Sequence, residues 1–143
     1  MSIQTREGVH LVITVVLLGG MVYAQQTTKH PIDKMLEACL AKNSTTAGTV
    51  DCISKAEDKW DKEMNRVYAE LMKRLSPDAR AKLKEAQVQW LKFRDSEFQL
   101  QGEIYSKLEG TMYIPMSADS QMQVVKKRAL ELKAYLDLLK AAQ

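Results

Sequence analysis

The sequence is poor in the residue types on which many catalytic and metal sites depend. Its 143 residues include two cysteines, two histidines, six glycines and three prolines. After residue 24 the one remaining histidine is His30, which is isolated, whereas a nucleophilic triad needs a positioned base. The three glycines after residue 24 form no phosphate-binding loop. We therefore expect a protein that is not an enzyme and that holds no cofactor or metal ion.

Paired carboxylates are the one enzymatic alternative that the sequence leaves. Glycoside hydrolysis uses two acidic side chains, and an acidic cluster follows the second cysteine: Glu57, Asp58, Asp61 and Glu63. These residues fall around a predicted helix among lysines, which is the pattern of a solvated helix face. We interpret the cluster as surface.

The N-terminal segment has the pattern of a secretory signal peptide. Residues 11–22 are apolar but fall short of the ~20 residues of a membrane-spanning helix, and Val22 and Ala24 occupy the small-residue positions of a cleavage site. We expect residues 1–24 to be removed and residues 25–143 to form one periplasmic or secreted domain, touching the membrane only before cleavage. Glu7 weakens the positive start, so an uncleaved anchor is the alternative. No cysteine comes directly after the apolar run, which argues against a lipoprotein.

The charge and the cysteine content limit the classes of partner and the cellular compartment that we expect. The net charge of +3 is mild and evenly mixed along the chain, which argues against nucleic acid. Cys39 and Cys52 are the two cysteines, and an oxidising compartment favours joining them. Two buried free thiols are the alternative.

Apolar periodicity predicts four helices, at about 31–42, 50–75, 77–101 (or to 109) and from Ser120 onward. No segment alternates at period two for long enough to form a strand. The second helix has the stripe Ile53, Ala56, Trp60, Met64, Val67, Leu71 and Leu75, and the fourth has Met122, Val125, Ala129, Leu132, Leu136 and Leu139. The sequence predicts an all-α fold, a small bundle of about four helices. It comprises two long antiparallel helices (the second and third), a disulfide-tethered N-terminal helix and a C-terminal helix that closes the bundle.

The ordered motifs resemble the secreted LprI-type, lysozyme-inhibitor-like family. The resemblance covers about residues 35–136 and follows the pattern of a Cys-to-Cys segment, an acidic "D-x-x-L-N-x-x-Y" stretch and "A-Q-x-x-W-x-x-x-R-D". The residues that carry it here are Cys39, Cys52, Trp60, Asp61, Met64, Asn65, Tyr68, Ala86, Gln87, Trp90, Arg94 and Asp95. It implies an exported helical protein that binds and inhibits lysozyme. Many relatives carry a second cysteine pair, at positions that here are Phe98 and the region of Ser120, so packing alone is expected to link the last two helices.

Arg94 follows large apolar residues on one helical face, where a guanidinium needs a partner. In the structural interpretation, which we favour, it pairs with Asp58, Asp61 or Glu97 while Trp60 and Trp90 pack between helices and Gln87 and Asn65 bond to backbone groups. In the functional interpretation Arg94 and Asp95 face another protein.

The segment 110–120 is the one long apolar loop that we predict, and it supplies the candidate partner-binding residues Met112, Tyr113 and Ile114. As an alternative, Ile114 and Met116 fold back to close the bundle. Met112, Met116 and Met122 also allow a soft-metal (copper) site, in an envelope-stress protein without inhibitor activity. The expected partner is lysozyme or another peptidoglycan-degrading enzyme, although animal-type lysozymes are basic and the mildly basic chain would oppose their encounter.

Overall fold

A computed structural model describes residues 29–142, which contain four helices and no strand. They are α1 (Pro31–Leu40), α2 (Thr46–Arg74), α3 (Pro77–Tyr105) and α4 (Tyr113–Ala141). The all-α prediction is confirmed. The predicted signal peptide, residues 1–24, lies outside the described residues. Within 29–142, none of the helices combines the length and the apolar character that crossing a membrane requires.

The helix starts follow from local capping. The Thr45 hydroxyl accepts a hydrogen bond from Gly48 N at 3.0 Å, so α2 begins four residues earlier than predicted. The Ser76 hydroxyl accepts from Ala79 N at 3.4 Å, and Pro77 takes the first position of α3. Ser76 therefore caps α3.

The core lies between α2 and α4. The predicted stripes of these two helices are buried, with Trp60, Val67, Met122 and Leu132 at 0% exposure. Leu75 and Leu139, the last members of the two stripes, pack partly buried against this core. Burial at helical spacing on both elements explains why they pack along most of their length.

Contacts along the core show that α2 and α4 run parallel. Trp60 lies near Lys126, whereas Leu71, further along α2, lines a groove with Tyr135 further along α4. α3 runs antiparallel to both and packs against α4, with few contacts to α2. The longest helix–helix contact is therefore α2 with α4, where the sequence suggested that α4 merely closes an α2–α3 pair.

α1 is held to α2 by the predicted Cys39–Cys52 disulfide, whose Cα atoms lie 5.7 Å apart. Within the described residues both cysteines are thus accounted for. Asp33 adds a contact to α4, accepting from Lys126 Nζ at 2.7 Å with both side chains largely buried. The disulfide prediction is confirmed, and it fixes a helix that has no buried residue of its own.

Candidate partner-binding surface

Most of the motif residues hold helices together. Trp60 is completely buried, and its ring centroid lies 4.3 Å from that of His30 at the start of α1. Tyr68 packs partly buried against the core. On the surface of α2, Asn65 donates from Nδ2 to the Asp61 carbonyl and carboxylate oxygens, both at 2.9 Å. The motif on α2 is therefore mainly structural.

Gln87 and Trp90 of α3 contact a residue that the sequence reasoning missed, Arg128 of α4. Arg128 is 8% exposed, the one charged residue buried in the described part of the chain. It donates from Nε to Gln87 Oε1 at 3.1 Å and from Nη1 to Glu131 Oε2 at 2.7 Å, and its guanidinium lies 6.0 Å from the centre of the Trp90 ring. Gln87 therefore bonds to a side chain rather than to the backbone groups that we predicted.

The Arg94 guanidinium pairs with its neighbour Asp95. Nε and Nη2 donate to Asp95 Oδ1 at 2.9 and 2.6 Å, and the guanidinium lies 5.7 and 5.9 Å from the ring centres of Trp90 and Phe98. The predicted ion pairs with Asp58, Asp61 or Glu97 are thus replaced by a pair on the surface.

The charge of Arg94 also acts on Glu57 of α2. Burial raises the pKa of Glu57, the charge of Asp58 raises it further, and the charge of Arg94 opposes both. The Asp95 carboxylate is 61% exposed. Asp95 therefore remains available to another protein.

These two arginines should differ in their effect on stability. Arg94→Ala breaks an exposed pair and should lower the free energy of unfolding by less than about 1 kcal/mol. Arg128→Ala leaves the Gln87 oxygen without its donor and removes packing from Trp90, which should cost about 2 kcal/mol. Urea unfolding of both variants tests this order, and an Arg94 variant less stable than the Arg128 variant would contradict it.

The predicted 110–120 loop is mostly helix, and α4 begins at Tyr113 rather than near Ser120. Pro115 is tolerated because the N–H groups of a first helical turn have no intrahelical partner. The connection from α3 is residues 106–112, where Gly110 adopts a φ of 114° that suits glycine. The expectation of an extended apolar loop is therefore wrong.

The turn nevertheless presents apolar side chains to solvent. We define the α3–α4 tip as Leu108, Met112, Tyr113 and Ile114. Met112 is 62% exposed and Ile114 55%, whereas Tyr113 is half-buried over a cavity of about 400 Å³. Ile114 and Met116 remain exposed and so do not fold back to close the bundle.

The three methionines considered for copper differ in burial. Met112 and Met116 are exposed, whereas Met122 is completely buried in the core. Residues 29–142 also hold no cluster of three or more His, Cys, Asp or Glu side chains suited to a metal ion.

The position of the missing second cysteine pair is filled by other contacts. Phe98 packs against the core. The Tyr105 and Ser120 hydroxyls are hydrogen-bonded at 2.8 Å and join the end of α3 to α4. The link between these helices thus includes a polar bond as well as the packing expected from the sequence.

Known proteins share this architecture. A family model described as lysozyme inhibitor LprI matches residues 39–132. An uncharacterized protein from Burkholderia thailandensis, known from its crystal structure, is 36% identical with a TM-score of 0.75. The match covers 80% of this chain but 58% of that one. The comparison with curated proteins gives no match. The matched residues include the disulfide, the Trp60 core and the Gln87–Arg128 contact, and the chain belongs to the LprI lysozyme inhibitor family.

Proposed function

We propose that this protein is an exported, non-enzymatic inhibitor of lysozyme or of a related peptidoglycan-degrading enzyme, acting in the periplasm or after secretion. The observation that carries the proposal is the family match over residues 39–132. The disulfide supports the extracytoplasmic location, since such bonds persist in oxidising compartments.

The α3–α4 tip is the surface that we assign to the partner enzyme. Its exposed Met112 and Ile114 are of the kind favoured at protein contacts, because methionine adapts its shape and an apolar side chain gains free energy when it leaves water. Tyr113 presents an amphipathic ring beside them. An exposed apolar turn of this kind is suited to contact with an enzyme cleft.

The charge around the tip favours a basic enzyme even though the whole chain is mildly basic. Asp95 is paired with Arg94, and residues 97–119 carry four acidic side chains (Glu97, Glu103, Glu109 and Asp119) and one basic side chain, Lys107. A local field of this sign accelerates the encounter with a cationic partner and weakens with added salt. The mildly basic net charge of the whole chain therefore does not oppose the approach of a basic enzyme to this end of the molecule.

The proposal is tested by the turbidity loss of a cell-wall suspension with several lysozyme types, with and without the purified protein. We expect the protein alone to leave the turbidity unchanged and to slow at least one lysozyme. Met112→Ser with Ile114→Ser should weaken inhibition, because these changes remove apolar contact without adding charge. Leu130→Ser, on another exposed face of α4 (39% exposed), is the matched control and should inhibit as the unchanged protein does. Lysis by every lysozyme at its full rate at micromolar inhibitor would refute the proposal.

A further inference from the structure

α3 is unusually open for a long helix. It has 29 residues, all described, and none of them is buried. Three of its large apolar side chains on one stripe are more than half exposed: Phe93 at 55%, Leu100 at 54% and Ile104 at 52%. An exposed apolar surface of this kind marks an interaction site in a soluble protein.

These three residues belong to a longer pattern on the side of α3 that borders the α3–α4 groove. We define the α3 seam as Ala79, Leu83, Ala86, Trp90, Phe93, Glu97, Leu100 and Ile104. Successive members alternate four and three residues apart, which is the spacing of a helix that pairs with another helix. Leu83 and Trp90 already pack against the core of their own chain, and the members open to a second copy are Ala86, Phe93, Leu100 and Ile104. Seven of the eight are apolar, and Glu97 alone interrupts the pattern.

The exposed members of the α3 seam are uneven in size, with Ala86 toward its start and the larger Phe93, Leu100 and Ile104 toward its end. Next to Ala79 and Ala86 lies a largely apolar groove of about 680 Å³, closed on its other side by Tyr135 and Leu138 of α4. The exposed Leu100 and Ile104 lie at the opposite end. An antiparallel copy of α3 would place those large side chains against the alanines.

Charge along α3 is divided in the same way. Arg94 and Asp95 pair with each other and are left out of this count. Residues 77–93 carry four basic and two acidic side chains, whereas residues 96–105 carry two acidic side chains and no basic one. The helix dipole favours the reverse order, with acids at the start, so the dipole does not explain the pattern. Antiparallel pairing of two copies sets each basic half against the acidic half of the other.

We propose that α3 seams of two copies of this chain pair antiparallel, forming a symmetric dimer in which each copy contributes the same surface. Matching sizes and opposite charges both select a second copy as the occupant. Asp95 lies on the flank of α3 opposite to the seam, and the α3–α4 tip lies beyond the end of the helix. The mass measurements that test the dimer do not depend on the inhibitor function.

Mass measurement by light scattering or sedimentation tests the dimer. We expect the unchanged protein to have twice the chain mass at high micromolar concentration, and Leu100→Ser with Ile104→Ser to have the mass of one chain. Val88→Ser with Leu91→Ser, on the other flank of α3 where both residues are exposed, is the matched control and should remain dimeric. An unchanged protein that is monomeric, or a seam variant that stays dimeric with native helix content, would overturn the proposal.

Charge reversal tests the antiparallel arrangement. Glu97→Lys with Glu103→Lys makes the whole of α3 basic, and Lys82→Glu with Lys92→Glu makes its first half acidic. Each variant should be monomeric alone because like charges oppose each other, and an equal mixture should form a dimer with one chain of each kind. Two variants that each dimerise alone as well as the unchanged protein does would contradict antiparallel pairing.

Discussion

Trp60→Ala should lower the free energy of unfolding by about 3–5 kcal/mol, the largest effect that we expect from one substitution. Trp60 is completely buried between the parallel helices α2 and α4. Its ring also packs against His30 and lies 5.3 Å from Lys126 Nζ, the same ammonium that pairs with Asp33 of α1. Removal of the ring therefore leaves a cavity where three helices meet, and urea unfolding measures the loss.

Trp60→Phe is the matched control for that cavity. The Trp60 Nε1 atom is buried and finds no hydrogen-bond partner in the described part of the chain. Phenylalanine keeps most of the apolar contact and removes this unpaired donor, whose burial is itself costly. We expect Trp60→Phe to cost less than about 1.5 kcal/mol. Equal losses for Trp60→Phe and Trp60→Ala would mean that the indole N–H, rather than the ring volume, stabilises the fold.

Replacing both cysteines with serine should cost about 3 kcal/mol, because the Cys39–Cys52 bond closes a short loop in the unfolded chain. The cost should appear chiefly as loosening of α1, since α1 has no buried residue and contacts mainly α2. Urea unfolding gives the size of the loss, and hydrogen exchange of the α1 amides gives its location.

Two controls isolate the bond from the substitutions. A reductant should destabilise the unchanged protein by a similar amount and leave the serine variant unaffected. Intact mass should show the unchanged protein two protons lighter than its reduced form. Free alkylation of both cysteines without reductant, in protein recovered after export, would contradict the bond.

The core of this fold could be predicted from the sequence because its pattern is regular. The apolar stripes of α2 and α4 recur at helical spacing over several turns, and the structure buries both. The packing of α3 could not be predicted in the same way. Val88 and Leu91 lie outside the row that contains Trp90 and Phe93, so α3 is apolar on more than one face, and periodicity did not indicate which face packs or that α2 and α4 form the main contact.

The two arginines show why partners are harder to predict than helices. The position of Arg94 among apolar residues predicts a pair with Asp58, Asp61 or Glu97, but its side chain reaches the adjacent Asp95 at the surface. In the sequence Arg128 looks like a polar interruption between Val125 and Leu132. Its spacing, however, puts it on the buried face of α4. The signal in the sequence was a basic residue at a position where helical spacing predicts burial. Which residue meets it depends on the position of α3, which the spacing does not determine.

The start of α4 was misplaced for a related reason. Pro115 and the turn-forming Gly110 suggested a loop, and proline is excluded from a helix interior but not from the first turn. This changes which residues of the α3–α4 tip we expect to contact an enzyme. Tyr113 is half-buried at the helix start, so Met112 and Ile114 become the residues most available to an enzyme.

Calorimetric titration of the most strongly inhibited lysozyme with the purified protein tests the central claim most directly. We expect saturable binding that weakens about tenfold or more in the Met112→Ser, Ile114→Ser variant, as loss of central apolar contacts does at protein interfaces. The Leu130→Ser control should bind as the unchanged protein does. Absence of binding to every lysozyme would contradict the inhibitor function, and equal affinity of the tip variant would contradict the assignment of the tip as the binding surface.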